Sequence, residues 1–219
     1  MSFFWDPYIF VLTLSFLASL TVFYKLNAVD SYLRYFPPFL LATILIELLG
    51  LYLNGKGRDN ILTYNFFTAF EFCFYMWIVN LIINEKQVKK IIRITILVYA
   101  IIAAGNIIFI QTGQFHTVTY ALGCLMVVVV CIYYFFELFR LPRSIKLSSN
   151  PAFWICSGLL FFYCCGFPLF GLLNYWSGIS KLVLKNFGQI LTILNVFLYS
   201  LFTLAFLCIR TRKYTLSPS

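Results

Sequence analysis

The chain has 219 residues, of which 62% are hydrophobic, 21% aromatic and 11% charged, with a formal net charge of +9 and a mean hydropathy of +0.91. Soluble domains run at about 45–50% apolar and roughly 25% charged. A chain this apolar has too little polar surface to cover a core in water, and it is too apolar to stay disordered. An integral membrane protein is the class that remains.

Seven apolar runs follow in chain order, at about 8–24, 37–54, 61–83, 94–112, 116–137, 152–175 and 183–208. Each is near the ~20 residues that a helix needs to cross ~30 Å of hydrocarbon. Barrel strands alternate inward and outward, whereas runs such as VLTLSFLASLTVFY are apolar on every face. The fold expected is therefore all-α, a polytopic membrane protein with seven transmembrane helices in one domain over 1–219 and no soluble domain.

The first run has no basic residues before it and reads as a retained helix, not a cleaved signal. Pro37-Pro38 and Asn150-Pro151 open the second and sixth runs, where proline is tolerated in a first turn. Asn54-Gly55-Lys56-Gly57 closes the second. Pro168, inside the sixth, predicts a kink. Aromatic residues crowd the span ends, among them Trp5, Tyr8, Tyr35, Trp154 and Trp176, as membrane-interface anchors do.

Basic residues set the direction. Alternate connectors divide the 16 Lys and Arg unequally. Lys25, Arg34, Lys86, Lys89, Lys90, Arg93, Arg140, Arg143, Lys146, Arg210, Arg212 and Lys213 fall on one side, and Lys56, Arg58, Lys181 and Lys185 on the other. The positive-inside rule places the first set in the cytoplasm, with the N-terminus outside and the C-terminus cytoplasmic. Anionic lipid headgroups then account for the positive charge without any nucleic-acid partner.

Several chemistries are excluded. One histidine, His116, at the outer end of the fifth run, cannot ligate a buried haem, and no zinc motif or nucleophile elbow is present. The seventh run has no mid-span lysine for a retinal Schiff base. Seven cysteines without a C-x-x-C pair read as small buried hydrophobes. The sequence thus implies no cofactor, no metal and no catalytic residue. Connectors are too short for an output domain, so a signal would require a separate cytoplasmic partner, with 86–93 and 138–150 as its contact segments. A homo-oligomer is left open.

Two acids lie within spans. Glu47 is ~10 Å and Glu71 ~15 Å below the outer surface at ~1.5 Å per residue, on consecutive helices. Ionised, each costs at least ~2.5–3.5 kcal/mol, so each is expected to face the bundle interior, find hydrogen bonds or stay protonated. Helical spacing places Thr43, Glu47, Gly50 and Asn54 on one stripe and Tyr64, Thr68, Glu71 and Tyr75 on another. Further stripes hold Thr95, Tyr99 and Asn106; Tyr163, Gly166 and Asn174; and Gly188, Thr192, Asn195 and Tyr199. Candidate ligand- or ion-binding residues are Glu47, Glu71, Asn54, Thr68, Tyr75, Asn106, Asn195 and Tyr199. The competing structure is a closed core in which these groups only tie helices together. A short internal echo sets T-A-F-E-F-C-F-Y (68–75) beside T-I-L-N-V-F-L-Y (192–199), matching Glu71 with Asn195.

The phrases E-L-L-G-L-Y-L-N (47–54), E-F-C-F-Y (71–75), N-P-A-F-W (150–154) and G-L-L-F-F-Y (158–163) resemble a group of small seven-helix bacterial integral membrane proteins. Some of these are similar to the membrane-sensing module of a sensor histidine kinase. The resemblance implies a bacterial inner membrane and a sensory role, and it assigns no ligand residues. Two functions fit the residues: a receptor-like sensor that binds a small ligand, lipid or ion among its helices, and a small-solute or proton-coupled transporter using Glu47 and Glu71.

Overall fold

The computed structural model describes residues 7–25, 30–140, 147–171 and 181–211, with side chains at 24–25, 181–185 and 209–211 left aside. Its seven helices are α1 (Pro7–Ser19), α2 (Phe36–Gly55), α3 (Ile61–Ile82), α4 (Lys86–Gly105), α5 (Thr117–Arg140), α6 (Pro151–Gly171) and α7 (Lys181–Thr211). No strand occurs among the described residues. Among the described residues, six helices are long and apolar enough to cross a membrane, and Pro7–Phe23 is a shorter apolar one. This composition suits a lipid bilayer.

Local chemistry sets most ends. The prolines of α2 fill its first turn. Beyond its last turn, Gly57 takes φ +66°, a left-handed conformation that a side chain would strain. The Asp59 carboxylate accepts the Ile61 N–H at 2.9 Å and starts α3. Asn150 does the same for Ala152 at 3.1 Å and starts α6. Where α3 ends, the Asn84 N–H donates to both Glu137 oxygens at 3.0 and 3.2 Å, fastening that end to α5.

Two boundaries depart from the apolar runs. Helix α4 begins at Lys86, eight residues before the run at 94, because Lys86, Lys89, Lys90 and Arg93 form polar opening turns that hydropathy alone leaves out. It ends in a π turn, Asn106–Ile110, closed by the Gln111 N–H on the Asn106 carbonyl at 2.8 Å. Helix α1 stops at Ser19 and continues as a 3-10 stretch, Leu20–Lys25. At ~1.5 and ~2.0 Å per residue the two together reach about 30 Å. Pro168 stands inside α6 as expected. Asn174, Tyr175 and Trp176, like Phe3–Trp5, Arg143, Lys146, Arg212 and Lys213, lie outside the described residues.

The helices close into a ring in the order α1, α2, α3, α5, α6, α7, with α4 outside against α3. Contacts are most extensive for α5 with α6, α6 with α7, and α7 with α1; α2 meets α3 along a thin seam. Outward faces carry bare apolar side chains, such as Leu97, Ile101 and Phe109 on α4 and its π turn. The upper end of the ring is the one that bears the α2–α3 turn. Midway down the ring the interior is solid. Phe36, Tyr75 and Phe202 are fully buried and Tyr163 and Phe206 almost so, with Phe36–Phe202 centroids 5.4 Å apart and Tyr75 6.0 Å from both Tyr163 and Phe202.

Candidate functional site

Above that aromatic floor lies a cavity of about 370 Å³ bordered by α2, α3, α5, α6 and α7. Glu47 and Glu71 both line it, as do Thr68, Asn195 and Tyr199. Their joint position follows from the stripes: residues at i, i+3 and i+4 share a helix face, and the ring turns those faces inward.

The two carboxylates sit in different surroundings. Glu47 Oε2 accepts the Tyr8 hydroxyl at 2.9 Å and the Tyr64 hydroxyl at 3.0 Å, so three helices meet at one acid. Gly50 makes this possible, because a Cβ there would collide with the Tyr64 hydroxyl and ring. Beside it, the Asn60 amide donates to the Gly50 carbonyl at 3.3 Å. Glu71 is not tied in this way. Its donor neighbour among the described residues is the buried Tyr75 hydroxyl, one turn below. The Glu71 carboxylate thus borders the cavity with one hydroxyl beside it, where Glu47 has two.

The rest of the lining is a partial polar arc on an aromatic wall. Asn195 Nδ2 donates to the Leu191 carbonyl at 3.0 Å, which leaves Oδ1 for the cavity. Thr43 and Thr68 hydroxyls are spent on the Phe39 and Tyr64 carbonyls at 3.0 and 2.8 Å. Phe115, Tyr120 and Phe170 cluster on the far side, with centroids 5.3 Å (Phe115–Tyr120), 5.5 Å (Phe115–Phe170) and 4.1 Å (Tyr120–Phe170) apart.

Three of the sequence-derived candidates lie elsewhere. Asn54 is exposed at the end of α2. Tyr75 belongs to the floor and does not border the cavity. Asn106 is buried behind α3, where its amide donates to Gln111 Oε1 at 2.7 Å and Thr119 Oγ1 at 3.1 Å. The α4 stripe fails because α4 stands outside the ring: Tyr99 uses its hydroxyl on the Thr119 carbonyl at 3.2 Å.

Asn106 leads to a polar joint that the sequence did not reveal, built on His116 in the connector before α5. Its backbone N–H meets Asn65 Oδ1 at 3.3 Å, Nε2 meets Thr68 Oγ1 at 2.6 Å and Nδ1 meets Thr119 Oγ1 at 2.7 Å. Since Thr68 gives its proton to the Tyr64 carbonyl, the imidazole that satisfies these partners is neutral and carries its proton on Nε2. Burial also lowers the His116 pKa to about 4, which keeps the ring uncharged near neutrality. Tyr8 escapes a sequence reading as a Glu47 partner for a different reason: the rotation of α1 about its own axis leaves no trace in an all-round apolar helix, whereas Tyr64 already lies on the inward stripe of α3. Among the described residues, no group of three or more His, Cys, Asp or Glu is arranged to hold a metal.

Comparison of the chain with protein-family models, with curated proteins and with solved structures finds no match.

Proposed function

We propose that the protein is a receptor-like sensor of a bacterial cell membrane, binding a small ligand among its helices and signalling through a separate cytoplasmic partner. In this reading all seven helices span the bilayer, with the N-terminus outside, so the upper end faces outward. The ~30 Å reach of Pro7–Lys25 supports a seventh span, and the distribution of basic residues supports the direction. The observation that carries the reading is a blind pocket. Two intramembrane carboxylates from neighbouring helices open onto one cavity, and that cavity stops on a buried aromatic floor. A volume of about 370 Å³ sits at the small end of the ~300–1,000 Å³ typical of ligand sites. A recess closed on one side suits binding and reporting better than passage.

A transporter is favoured by one feature, the pairing of an acid held by two hydroxyls with one beside a single hydroxyl, as a proton-coupled site would use. One experiment separates the readings. The purified full chain is melted against a panel of small metabolites, and any stabilising compound is then offered to proteoliposomes. A shift that disappears in Glu71→Gln without uptake supports the sensor, and uptake that disappears in the same variant supports the transporter. A flat panel, with Glu71→Gln melting as the parent does, overturns both.

A further inference from the structure

The chemistry of the cavity is one-sided. Two carboxylates line it, and no Lys, Arg or His does among the described residues. His116 lies behind Thr68 and is neutral. An isolated carboxylate ion in low dielectric is strongly disfavoured, so a carboxyl at this depth either holds a proton or takes a cation as countercharge. Glu47 is steadied by two tyrosine hydroxyls. Glu71 has the single Tyr75 hydroxyl beside it and borders the open volume, where a cation can reach it.

A bare metal ion fits poorly. Calcium takes six to eight oxygens, magnesium near-octahedral six, whereas this lining supplies few: Thr68 Oγ1 already contacts His116 Nε2, and Glu47 Oε2 is held by two tyrosine hydroxyls. Asn195 offers one oxygen, and the facing wall is aromatic. That combination suits a cation with its own N–H donors and an apolar body. The N–H groups would meet Glu71 and Asn195 Oδ1, while the body and the edge of the charge rest against Phe115, Tyr120 and Phe170 through cation–π and apolar contact.

We infer that the cavity binds a small organic ammonium ion, with Glu71 as its counterion, Asn195 as a second acceptor and the Phe115–Tyr120–Phe170 cluster as its apolar rest. The inference depends on the proposed function, in which the cavity is a ligand site. The ammonium group comes either from a free amine or from the headgroup of an aminophospholipid.

The full chain in detergent is titrated with methylammonium, phenethylammonium, the neutral 2-phenylethanol and the anion phenylacetate, and binding is followed by melting midpoint and calorimetry. Phenethylammonium is expected to raise the midpoint saturably, and the alcohol and the acid are not. Glu71→Gln is expected to weaken phenethylammonium at least tenfold, and Asn195→Ala several-fold. Equal binding to the parent and Glu71→Gln overturns the proposal, as does a panel in which no ammonium compound binds. Leu191→Trp, which fills the cavity, separates the two levels of failure. If the alcohol or the acid binds instead and Leu191→Trp blocks it, the ammonium proposal falls while the ligand site stands. If nothing binds at all, both fall. Nanodiscs distinguish the source. Affinity for phenethylammonium that drops tenfold when phosphatidylethanolamine replaces phosphatidylcholine, at equal surface charge, assigns the site to a lipid headgroup; affinity that does not change assigns it to a free amine.

Discussion

The two sides of the ring are held by different forces. Helices α5, α6 and α7 press together over long apolar faces, helped by Gly158, where a Cβ would sit 3.2 Å from Leu198. Helices α1, α2 and α3 touch less, and polar bonds at the upper end bridge them: Tyr8 and Tyr64 to Glu47, and Asn60 to Gly50. Lipid competes with van der Waals contact between apolar helices but offers nothing to a hydroxyl or a carboxylate. The second side can therefore be loosely packed and still stay assembled, and its seam is where a cavity can form. The acids lie on that side, and most of the aromatic wall lies opposite.

This contrast can be broken at graded cost. The largest effect is expected where the two sides join, at Gly123 of α5. A Cβ there would stand 2.7 Å from the Phe72 ring and 2.8 Å from the Tyr99 hydroxyl. Gly123→Val should lose at least about 3 kcal/mol through overpacking, read as a sharp fall in melting midpoint and in folded yield. Gly158→Ala, inside the tightly packed side, should cost about 1 kcal/mol and leave ligand affinity unchanged.

On the loosely packed side, Tyr8→Phe and Tyr64→Phe should each cost about 1 kcal/mol. Both should shift ligand affinity as well, because Glu47 borders the cavity; a double-mutant cycle with Glu47→Gln would attribute the loss to the bonds themselves. Across the joint, His116 makes stability depend on pH. Its folded pKa of about 4 lies below the ordinary 6.5, so the unfolded chain binds the proton more readily. That contribution is complete above pH 6.5 and falls away as pH drops towards 4. His116→Gln should flatten the melting profile across this window. The smallest effect is expected at Glu71. Its one neighbouring donor, the Tyr75 hydroxyl, can still give its proton to a glutamine carbonyl, so Glu71→Gln should move the melting midpoint by no more than about 0.5 kcal/mol equivalent, in contrast to Glu47→Gln.

Seven helices and the grouping of Glu47, Glu71, Thr68, Asn195 and Tyr199 around one interior can be read from the chain, because apolar length and a 3.6-residue period survive without tertiary information. The failures have the same root. Periodicity gives each helix a polar face but not its place in the ring, so it turns the α4 stripe with Asn106 towards an interior that α4 never reaches. Asn54 lies on the right stripe one turn too high. In the sequence His116 is a lone histidine at the end of a run, and its partners Asn65, Thr68 and Thr119 stay hidden because they are set by how α3 docks on α5. The echo between 68–75 and 192–199 remains a proposal about origin. Its matched positions Glu71 and Asn195 both border the cavity, and the ring order is the one that a two-fold relation between α1–α3 and α5–α7 requires.

The aromatic floor has a kinetic consequence. A well with a sealed bottom has a single mouth, so whatever arrives must depart by the same route. Altering a rim residue such as Asn60 or Ile61 then raises or lowers one shared barrier. Association and dissociation would quicken or slow together, by equal factors wherever the altered side chain does not touch the bound ligand.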